Sequence, residues 1–219
     1  MERYYNLICS AHFFDDIPKE KISDVLSNID AKVVCFSKNQ AIFYEDSQFK
    51  AGIILYGEAE IRKQDYKGNN SIISTLSVGQ MFGEALCCTQ KDIIPIGLFS
   101  GEKCIVLLFD CEKIVGNIEF EYKNILLRNL LSIIAEKNLE LRAKINILSR
   151  RTTREKIMAF LVSEAKKAGS REFDISFDRQ QLADYLGVDR SAMSNEISKL
   201  CRDNIIKTSK SHFIIIKEH

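Results

Sequence analysis

The spacing of apolar residues changes near residue 110, and this change constrains the fold of the 219-residue chain more than any other feature. Before that point the apolar residues come in short pieces, separated by turn residues such as Gly57 and Gly79. Many short strands at intervals of about 8–12 residues are typical of an all-β barrel or sandwich, although the alternation within Ile53–Arg62 is incomplete. After Glu112 glycine becomes rare and the apolar period becomes helical. The sequence therefore predicts a β domain followed by helices.

The composition is that of a globular protein, with 46% hydrophobic and 28% charged residues. The longest apolar runs, such as Ile105–Phe109, are far shorter than the ~20 residues of a membrane span. The first residues lack the basic region and long apolar core of a signal peptide. We therefore expect a cytoplasmic protein with no membrane partner.

The seven cysteines include no CxxC pair, and their spacing supports neither a zinc site nor an iron–sulfur cluster. In a reducing cytosol we expect most of them to be free thiols that pack as small hydrophobic residues. Two redox alternatives remain open: Cys87 and Cys88 as a thiol or metal sensor, and a pairing of Cys9 with Cys201 in an oxidised form.

Charge is distributed unevenly along the chain, although the formal net charge is only +1. Residues 1–149 contain 17 basic and 20 acidic side chains, whereas residues 150–219 contain 14 basic and 10 acidic ones. A basic C-terminal region is typical of a nucleic-acid-binding appendage, and a solvated helical face would give the same excess.

One helical stretch has the pattern of a two-stranded coiled coil. Between Asn117 and Ser149 the apolar positions form two interlocking stripes with a mean period of about 3.5 residues. A lone seam asparagine, here Asn138, pairs with its symmetry mate in a dimer. We therefore expect a homodimer; the alternative is a helix that packs on its own β domain. Lys137 and Arg142 flank the seam where opposite charges usually pair, so charge pairing does not support the dimer. The expected seam consists of Leu127, Leu131, Ile134, Asn138, Leu141 and Ile145.

The C-terminal third carries the strongest local signal. A helical stretch, Arg154–Lys167, is followed by an expected loop at Ala168–Ser176. Asp178, with Gln181 three residues later, forms a capping box that predicts the start of a helix. Gly187 predicts its end as a left-handed C-cap.

A second helix, capped by Asp189, follows at once and has two different faces. Met193, Ile197 and Leu200 recur at helical spacing and must face inward. Two helices joined by a tight glycine turn indicate a helix-turn-helix, whose second helix enters the DNA major groove. A solvated polar face would look similar, but arginine, asparagine, serine and lysine suit contacts to guanine, adenine and phosphate. The polar face consists of Arg190, Ser191, Ser194, Asn195, Ser198 and Lys199.

Two short apolar segments, Ile205–Thr208 and His212–Ile216, flank Ser209–Ser211. This pattern predicts a β-hairpin with Lys210 at a basic tip, which is the wing of a winged helix. We expect the wing to touch the backbone of double-stranded DNA.

In this order, the β domain, long helix and winged helix-turn-helix resemble the Crp/Fnr family of bacterial transcription regulators along the whole chain. The stretch Leu76–Leu86 resembles the β-domain signature of that family, LxxGxxFGExxL, and a second motif lies at Ile54–Ile61. The resemblance implies an α+β fold: an N-terminal double-stranded β-helix (β-roll) of the cyclic-nucleotide-binding type over residues 1–111, a dimerisation helix over 112–149 and a winged helix-turn-helix over 150–219.

The DNA-reading motif of the family is present at Arg179–Asn195. By resemblance, Arg179 contacts a phosphate. Four residues of the second helix occupy base-reading positions: Arg190, Ser191, Ser194 and Asn195. Asn195 stands where the family usually has Arg, which predicts adenine rather than guanine at that step of the operator. The resemblance also implies a near-palindromic operator and RNA polymerase as a partner.

The same resemblance implies an effector pocket. In members that bind cyclic nucleotides, the Gly-Glu of the signature holds the ribose and an Arg-Ser pair neutralises the phosphate; here Gly83-Glu84 is present, but Ile94-Pro95 replaces the pair. A buried phosphate would lose its counter-charge, which is costly. We therefore predict an unknown small effector or a redox event instead of cyclic AMP. The predicted pocket residues are Gly83, Glu84 and Ala85 and, on the dimerisation helix, Leu141 and Arg142.

Other cofactors and functions fit the sequence less well. Haem needs an axial His or Cys, and the three histidines lie outside the strand-rich stretch of about residues 33–109. The N-terminal cysteine cluster of oxygen-sensing members is also missing. A cupin-type β-barrel enzyme needs several histidine ligands on barrel strands. A cyclic-nucleotide-binding-like module acting on proteins would not need a recognition helix and a basic wing. We therefore predict no enzyme, with neither catalytic nor metal-ligating residues.

Overall fold

The computed structural model describes residues 2–43, 51–64, 70–88, 96–116 and 120–217. The chain forms two compact units, Met1–Glu136 and Lys137–His219. The helices are α1 (Tyr5–Cys9), α2 (Lys19–Asn28), α3 (Glu84–Cys88), α4 (Glu112–Val115), α5 (Lys123–Leu148), α6 (Thr153–Ala168), α7 (Arg179–Leu186) and α8 (Arg190–Arg202). The strands are β1 (Lys32–Phe36), β2 (Ala41–Phe43), β3 (Ala51–Tyr56), β4 (Ala59–Gln64), β5 (Asn70–Leu76), β6 (Met81–Phe82), β7 (Ile96–Ser100), β8 (Cys104–Phe109), β9 (Glu172–Asp174), β10 (Ile206–Ser209) and β11 (His212–Ile215).

Two four-stranded antiparallel sheets form the β domain of the first unit, with strand orders β1-β8-β3-β6 and β2-β7-β4-β5. Gly57 joins β3 to β4 with φ +76°, and a Cβ at this position would collide with the carbonyl oxygen of Lys103. Glycine is therefore required at this turn. The predicted α+β class, with an N-terminal β domain ahead of helices, is confirmed.

The sheet that contains β3 and β8 is buried on both faces. Ile54 and Val106 point into a core shared with the other sheet, whereas Ile53 and Leu107 point into a core shared with the helices. A strand buried on both faces needs an almost continuous apolar run. This explains the incomplete alternation in this part of the sequence.

Helices α1 and α2 precede the β domain and were not predicted, although Ile22, Val25 and Leu26 recur at helical spacing and are buried. They pack in the same core as the first half of α5. The buried Asn129 of α5 donates its side-chain amide to the backbone carbonyl of Phe13 at 3.1 Å. The N-terminal segment is thus held to α5 by packing and by a buried hydrogen bond.

Helix α5, Lys123–Leu148, lies within the stretch Asn117–Ser149 that has the coiled-coil pattern. Its 26 residues correspond to a length of about 39 Å. The helix contributes to both units, because the boundary between them falls after Glu136. The core of the first unit contains Leu126, Leu130 and Ile133, and that of the second unit contains Ile147.

The second unit contains a three-stranded antiparallel sheet, β10-β11-β9, and helices α6 to α8. The predicted helix Arg154–Lys167 is confirmed, and it begins with a capping box between Thr152 and Glu155. The expectation of a loop at Ala168–Ser176 is wrong in part, because β9 lies within it and pairs with β11. Only Phe173 of this strand is buried, and three residues are too few for their alternation to be recognised in the sequence. Within the described residues, no helix combines the length and hydrophobicity needed to cross a bilayer.

Candidate nucleic-acid interface

Helix α7 begins and ends as the sequence predicts. The Asp178 carboxylate accepts a hydrogen bond from the backbone N–H of Gln181 at 2.8 Å, and the Gln181 side chain accepts one from the N–H of Asp178 at 2.8 Å. Gly187 ends the helix in the left-handed conformation, with φ 60° and ψ 49°. Leu182 and Leu186 anchor the helix in the core of the second unit. The predicted capping box and C-cap are both confirmed.

Asp189 caps the N-terminus of α8, as predicted. Its carboxylate accepts hydrogen bonds from the Ser191 hydroxyl at 2.5 Å and from the backbone N–H of Ala192 at 2.9 Å. These two hydrogen bonds, that of Ser191 first, lower the pKa of Asp189. The carboxylate therefore stays charged at the positive end of the helix dipole, where it stabilises the start of α8.

The two faces of α8 differ as predicted. Met193, Ile197 and Leu200 are buried in the core of the second unit. The opposite face is open to solvent except for the half-buried Ser194. The exposed predicted contact residues of α8 are Arg190, Ser191, Asn195, Ser198 and Lys199.

Some side chains of this polar face already have partners, and others do not. The Ser198 hydroxyl donates to the carbonyl of Ser194 at 2.9 Å, and the Lys199 ammonium lies 2.5 Å from the Glu196 carboxylate. Within the part of the chain that the structure describes, the side chains of Arg190 and Asn195 have no hydrogen-bond partner. Both are therefore available to an external ligand.

The wing is a hairpin of β10 and β11, with Lys210 exposed in its two-residue turn. The predicted hairpin and its basic tip are confirmed. Adjacent to the turn, the ring nitrogens of His212 lie 3.1 Å from a carboxylate oxygen of Asp174 and 3.1 Å from one of Glu172. These two carboxylates, Asp174 first, raise the pKa of His212. The wing is thus tied to β9 by a charge-dependent contact.

Arg179, the predicted phosphate contact, lies half-buried against the wing. Its Nη2 donates to the hydroxyl of Thr208 at 3.2 Å, and its guanidinium lies 5.1 Å from the centroid of the Phe213 ring. Burial lowers the pKa of the guanidinium. Nη1 is buried without a hydrogen-bond partner in the described structure. The side chain therefore joins α7 to both wing strands.

Two lysines from other helices hold α7 in place. The Lys144 ammonium of α5 lies 4.8 Å from the centroid of the Tyr185 ring, which is within the range of a cation–π interaction. Lys156 of α6 donates to the carbonyl of Leu186, in the last turn of α7, at 3.1 Å. The helix-turn-helix is therefore mounted on the end of α5 as well as on α6.

The sequence analysis did not identify the partners of Arg179 and His212. Thr208 and Phe213 lie in the wing, about 30 residues after Arg179, and the two carboxylates lie in β9. Ile206 and Thr208 occupy alternate positions of β10 that face inward, and Thr208 is polar and half-buried there. That position was the available signal.

The residues predicted for an effector pocket are divided between the two units. Gly83–Ala85 lie in the first unit, where Gly83 has φ +74° and the partly buried Glu84 begins α3. Leu141 and Arg142 are exposed on the part of α5 that belongs to the second unit. Ile94-Pro95 lies outside the described residues. The pocket therefore stays a prediction.

The cysteines differ in one respect from the expected free thiols. Cys87 and Cys111 are joined by a disulfide, because the fold brings together two residues that no local motif connects. Cys9 and Cys201, the alternative pair, are free. No group of three His, Cys, Asp or Glu side chains within the described ranges is arranged to hold a metal ion.

The C-terminal residues are similar in sequence to known proteins. Residues 155–219 match the Crp-like helix-turn-helix domain. The transcriptional activator protein FnrL of Cereibacter sphaeroides is 31% identical, over 33% of this chain and 33% of its own length. The chain thus spans about a third of the length of the curated relative that it matches.

Two solved structures are similar over most of the chain. The catabolite activator protein of Thermus thermophilus is 17% identical, with 93% of each chain covered and a TM-score of 0.52. The c-di-GMP-responsive global regulator CLP of Xanthomonas campestris is 14% identical, with 92% of this chain and 100% of that chain covered and a TM-score of 0.59. At these identities the similarity shows the fold. Residues 155–219 thus belong to the Crp-like helix-turn-helix domain family, and the chain shares the fold of these two proteins.

Proposed function

We propose that the chain binds DNA in a sequence-specific manner as a homodimer and regulates transcription in response to a signal at the β domain. The observation that carries this proposal is the geometry of α8. Three apolar residues anchor one face, while the other face is exposed and rich in hydrogen-bonding groups. A helix-turn-helix uses such a face in the major groove.

Within the proposed interface, the side chains have separate tasks. Arg190 donates two hydrogen bonds to guanine, and Asn195 bonds adenine with its amide, because both side chains are exposed and without a partner on their own chain. Ser191, Ser194 and Ser198 contact bases or phosphates. Lys199 exchanges its bond to Glu196 for a phosphate, and Lys210 at the wing tip completes the backbone contacts. Arg179 holds that wing in position against α7.

Most residues of the proposed dimer seam are exposed on α5. Leu131, Leu141 and Ile145 are exposed, as is Asn138 between them, while Leu127 and Ile134 are half-buried. An exposed leucine and isoleucine stripe costs free energy in water, which a second copy of the same helix removes. Two copies also match a near-palindromic operator, because each half-site then receives one α8.

The signal and the other partners belong to the same proposal. A small effector, different from cyclic AMP, would bind near Gly83, Glu84 and Ala85 with Leu141 and Arg142 from α5. By binding one arrangement of the dimer more tightly, it would shift the population that is able to bind DNA. RNA polymerase would be the partner that reads this change, in the cytosol where the DNA lies.

Selection of operator sequences from random duplex DNA tests the proposal. The full chain should enrich a near-palindromic site, and its affinity should fall steeply with salt. Arg190→Ala should lose about 1–3 kcal/mol of discrimination at one base pair of each half-site. Arg202→Ala removes the same charge from the exposed last turn of α8 and serves as the matched control, since it should weaken all sequences alike. No enrichment, or equal discrimination in both variants, would refute the proposed role of α8.

A further inference from the structure

The disulfide between Cys87 and Cys111 joins two short helices of the first unit. Cys87 lies in α3, and Cys111 is the N-cap residue of α4, 24 residues later in the chain. Their Cα atoms are 5.0 Å apart, within the range of about 4.4–6.8 Å that a disulfide spans. The separation of the two Cα atoms is therefore compatible with a disulfide.

The disulfide lies between the predicted effector-pocket residues and the start of α5. Helix α3 begins at Glu84, directly after Gly83. Helix α4 is the last helix before α5, whose Leu126 and Leu130 pack in the same core as both cysteines. A bond between α3 and α4 therefore joins the segment after Gly83 to a helix that packs in the same core as the start of α5.

We propose that Cys87 and Cys111 form a reversible thiol–disulfide pair, and that its oxidation changes the affinity of the protein for its DNA operator. The inference rests on the proposed DNA-binding function and names a redox input to it. A protein that acts on DNA works in a reducing compartment, where disulfides are usually transient and redox-sensing. A disulfide between α3, at the signature, and α4, which packs in the same core as the start of α5, fits such a role.

Both oxidation states are compatible with the packing of this core. Cys87 is 6% exposed and Cys111 is 3% exposed, and their neighbours in the cluster are apolar. A reduced cysteine packs as a small hydrophobic residue, so loss of the bond leaves the core filled. What changes is the covalent restraint between α3 and α4.

The burial of the two sulfurs selects for a small oxidant, and hydrogen peroxide is the chemical class that we assign. One thiolate attacks the O–O bond, forming an S–O bond and a sulfenic acid, and the departing hydroxide takes up a proton to become water. The second thiol then attacks the sulfenic sulfur; the S–S bond forms, the S–O bond breaks and a second water leaves. The two thiols lose two electrons and two protons, and the peroxide is reduced to two waters. A dithiol reverses the step by two thiol–disulfide exchanges.

Thiol trapping in the full chain tests the pairing. The folded protein is treated with dithiothreitol or with hydrogen peroxide, and then denatured in an alkylating reagent and mapped by mass spectrometry. We expect two more alkylated cysteines after reduction than after oxidation, and a Cys87–Cys111 cross-linked peptide only in the oxidised sample. A pair that never oxidises in the folded protein, or that dithiothreitol cannot reduce without unfolding it, would overturn the proposal.

Operator affinity in the two states tests the regulation. We expect the dissociation constants of oxidised and reduced protein to differ by about fivefold or more, the usual scale of allosteric coupling. Cys87→Ala and Cys111→Ala should abolish the difference, with folding checked by thermal unfolding, while Cys35→Ala, at an exposed free cysteine, should preserve it. Intact operator binding with a difference below about twofold would overturn the inference. Absence of specific binding in both states would instead refute the proposed function, and thiol trapping would still decide the pairing.

Discussion

The guanidinium of Arg179 lies 5.1 Å from the centroid of the Phe213 ring, so the first residue of α7 is stacked on the second strand of the wing. Its Nη2 also reaches Thr208 on the other wing strand. One side chain thus fastens the wing to the helix-turn-helix. Because both contacts restrain the Arg179 side chain, it has little freedom to move toward a DNA phosphate.

Replacement of Arg179 by Lys or by Gln separates these two roles. Neither residue reproduces the planar stacking and the bond to Thr208, so both variants should lose about 1–2 kcal/mol of stability. Both should also weaken operator binding, with little change in the slope of log affinity against log salt. Chemical denaturation and DNA titrations at several salt concentrations measure these effects. A slope that falls by about 0.9 in Arg179→Gln only would identify a phosphate contact instead.

The exposed face of α5 permits a matched test of the dimer. Ile145 and Leu139 are each 64% exposed, and only Ile145 belongs to the proposed seam. Ile145→Lys should shift the protein toward monomer in analytical ultracentrifugation, because two lysines would then face each other in the seam. Leu139→Lys should leave the oligomeric state unchanged. Equal behaviour of the two variants would contradict the predicted register.

The turn between α7 and α8 should be sensitive to glycine replacement. Gly187→Ala forces a Cβ into the left-handed conformation and should cost about 1–2 kcal/mol, although the nearest atom, a Leu148 methyl, leaves enough space. Gly169 ends α6 with nearly the same φ, 62°, and provides the matched control. Both variants should lose similar stability, but only Gly187→Ala should impair operator binding, since it alone affects the angle between the two helices. Denaturation and DNA titration of both variants provide the comparison.

His212 predicts a dependence of stability on pH. Asp174 and Glu172 raise its pKa in the folded state above the ordinary value of 6.5. Protonated His212 therefore stabilises the wing fully below pH 6.5, and this contribution is lost as pH rises through the folded pKa. NMR titration of the imidazole should show the raised pKa, and His212→Gln should remove this part of the change in melting temperature with pH. An imidazole that titrates at or below 6.5 would show that the carboxylates do not act on it.

The elements that were predictable from sequence are those specified by neighbouring residues. Asp178 and Gln181 cap each other across three residues, and Gly187 ends the same helix, so a short window of sequence contains the whole interaction. The polar and apolar faces of α8 follow from helical periodicity in the same way. For these features local chemistry and tertiary structure agree.

The features that were missed depend on partners far away in the chain. Strand β9 exists because β11 pairs with it, about 40 residues later. Cys87 meets Cys111 only because α3 and α4 share a core. Arg179 has the residue type of a phosphate contact, yet its surroundings are set by Thr208 and Phe213 in the wing. No local pattern specifies such contacts, because they arise from the packing of separate segments.

Because α5 packs in its own chain and also exposes apolar side chains, the stability of the protein should depend on its concentration in the cell. One face of α5 packs in the core of its own chain, and the other carries exposed leucine and isoleucine side chains. If two copies associate through these side chains, mass action makes each subunit harder to unfold as the protein concentration rises. At low concentration the subunits would be exposed to proteolysis, and at high concentration they would be protected. The amount of DNA-binding dimer would then rise more steeply than the gene dosage, even without an effector.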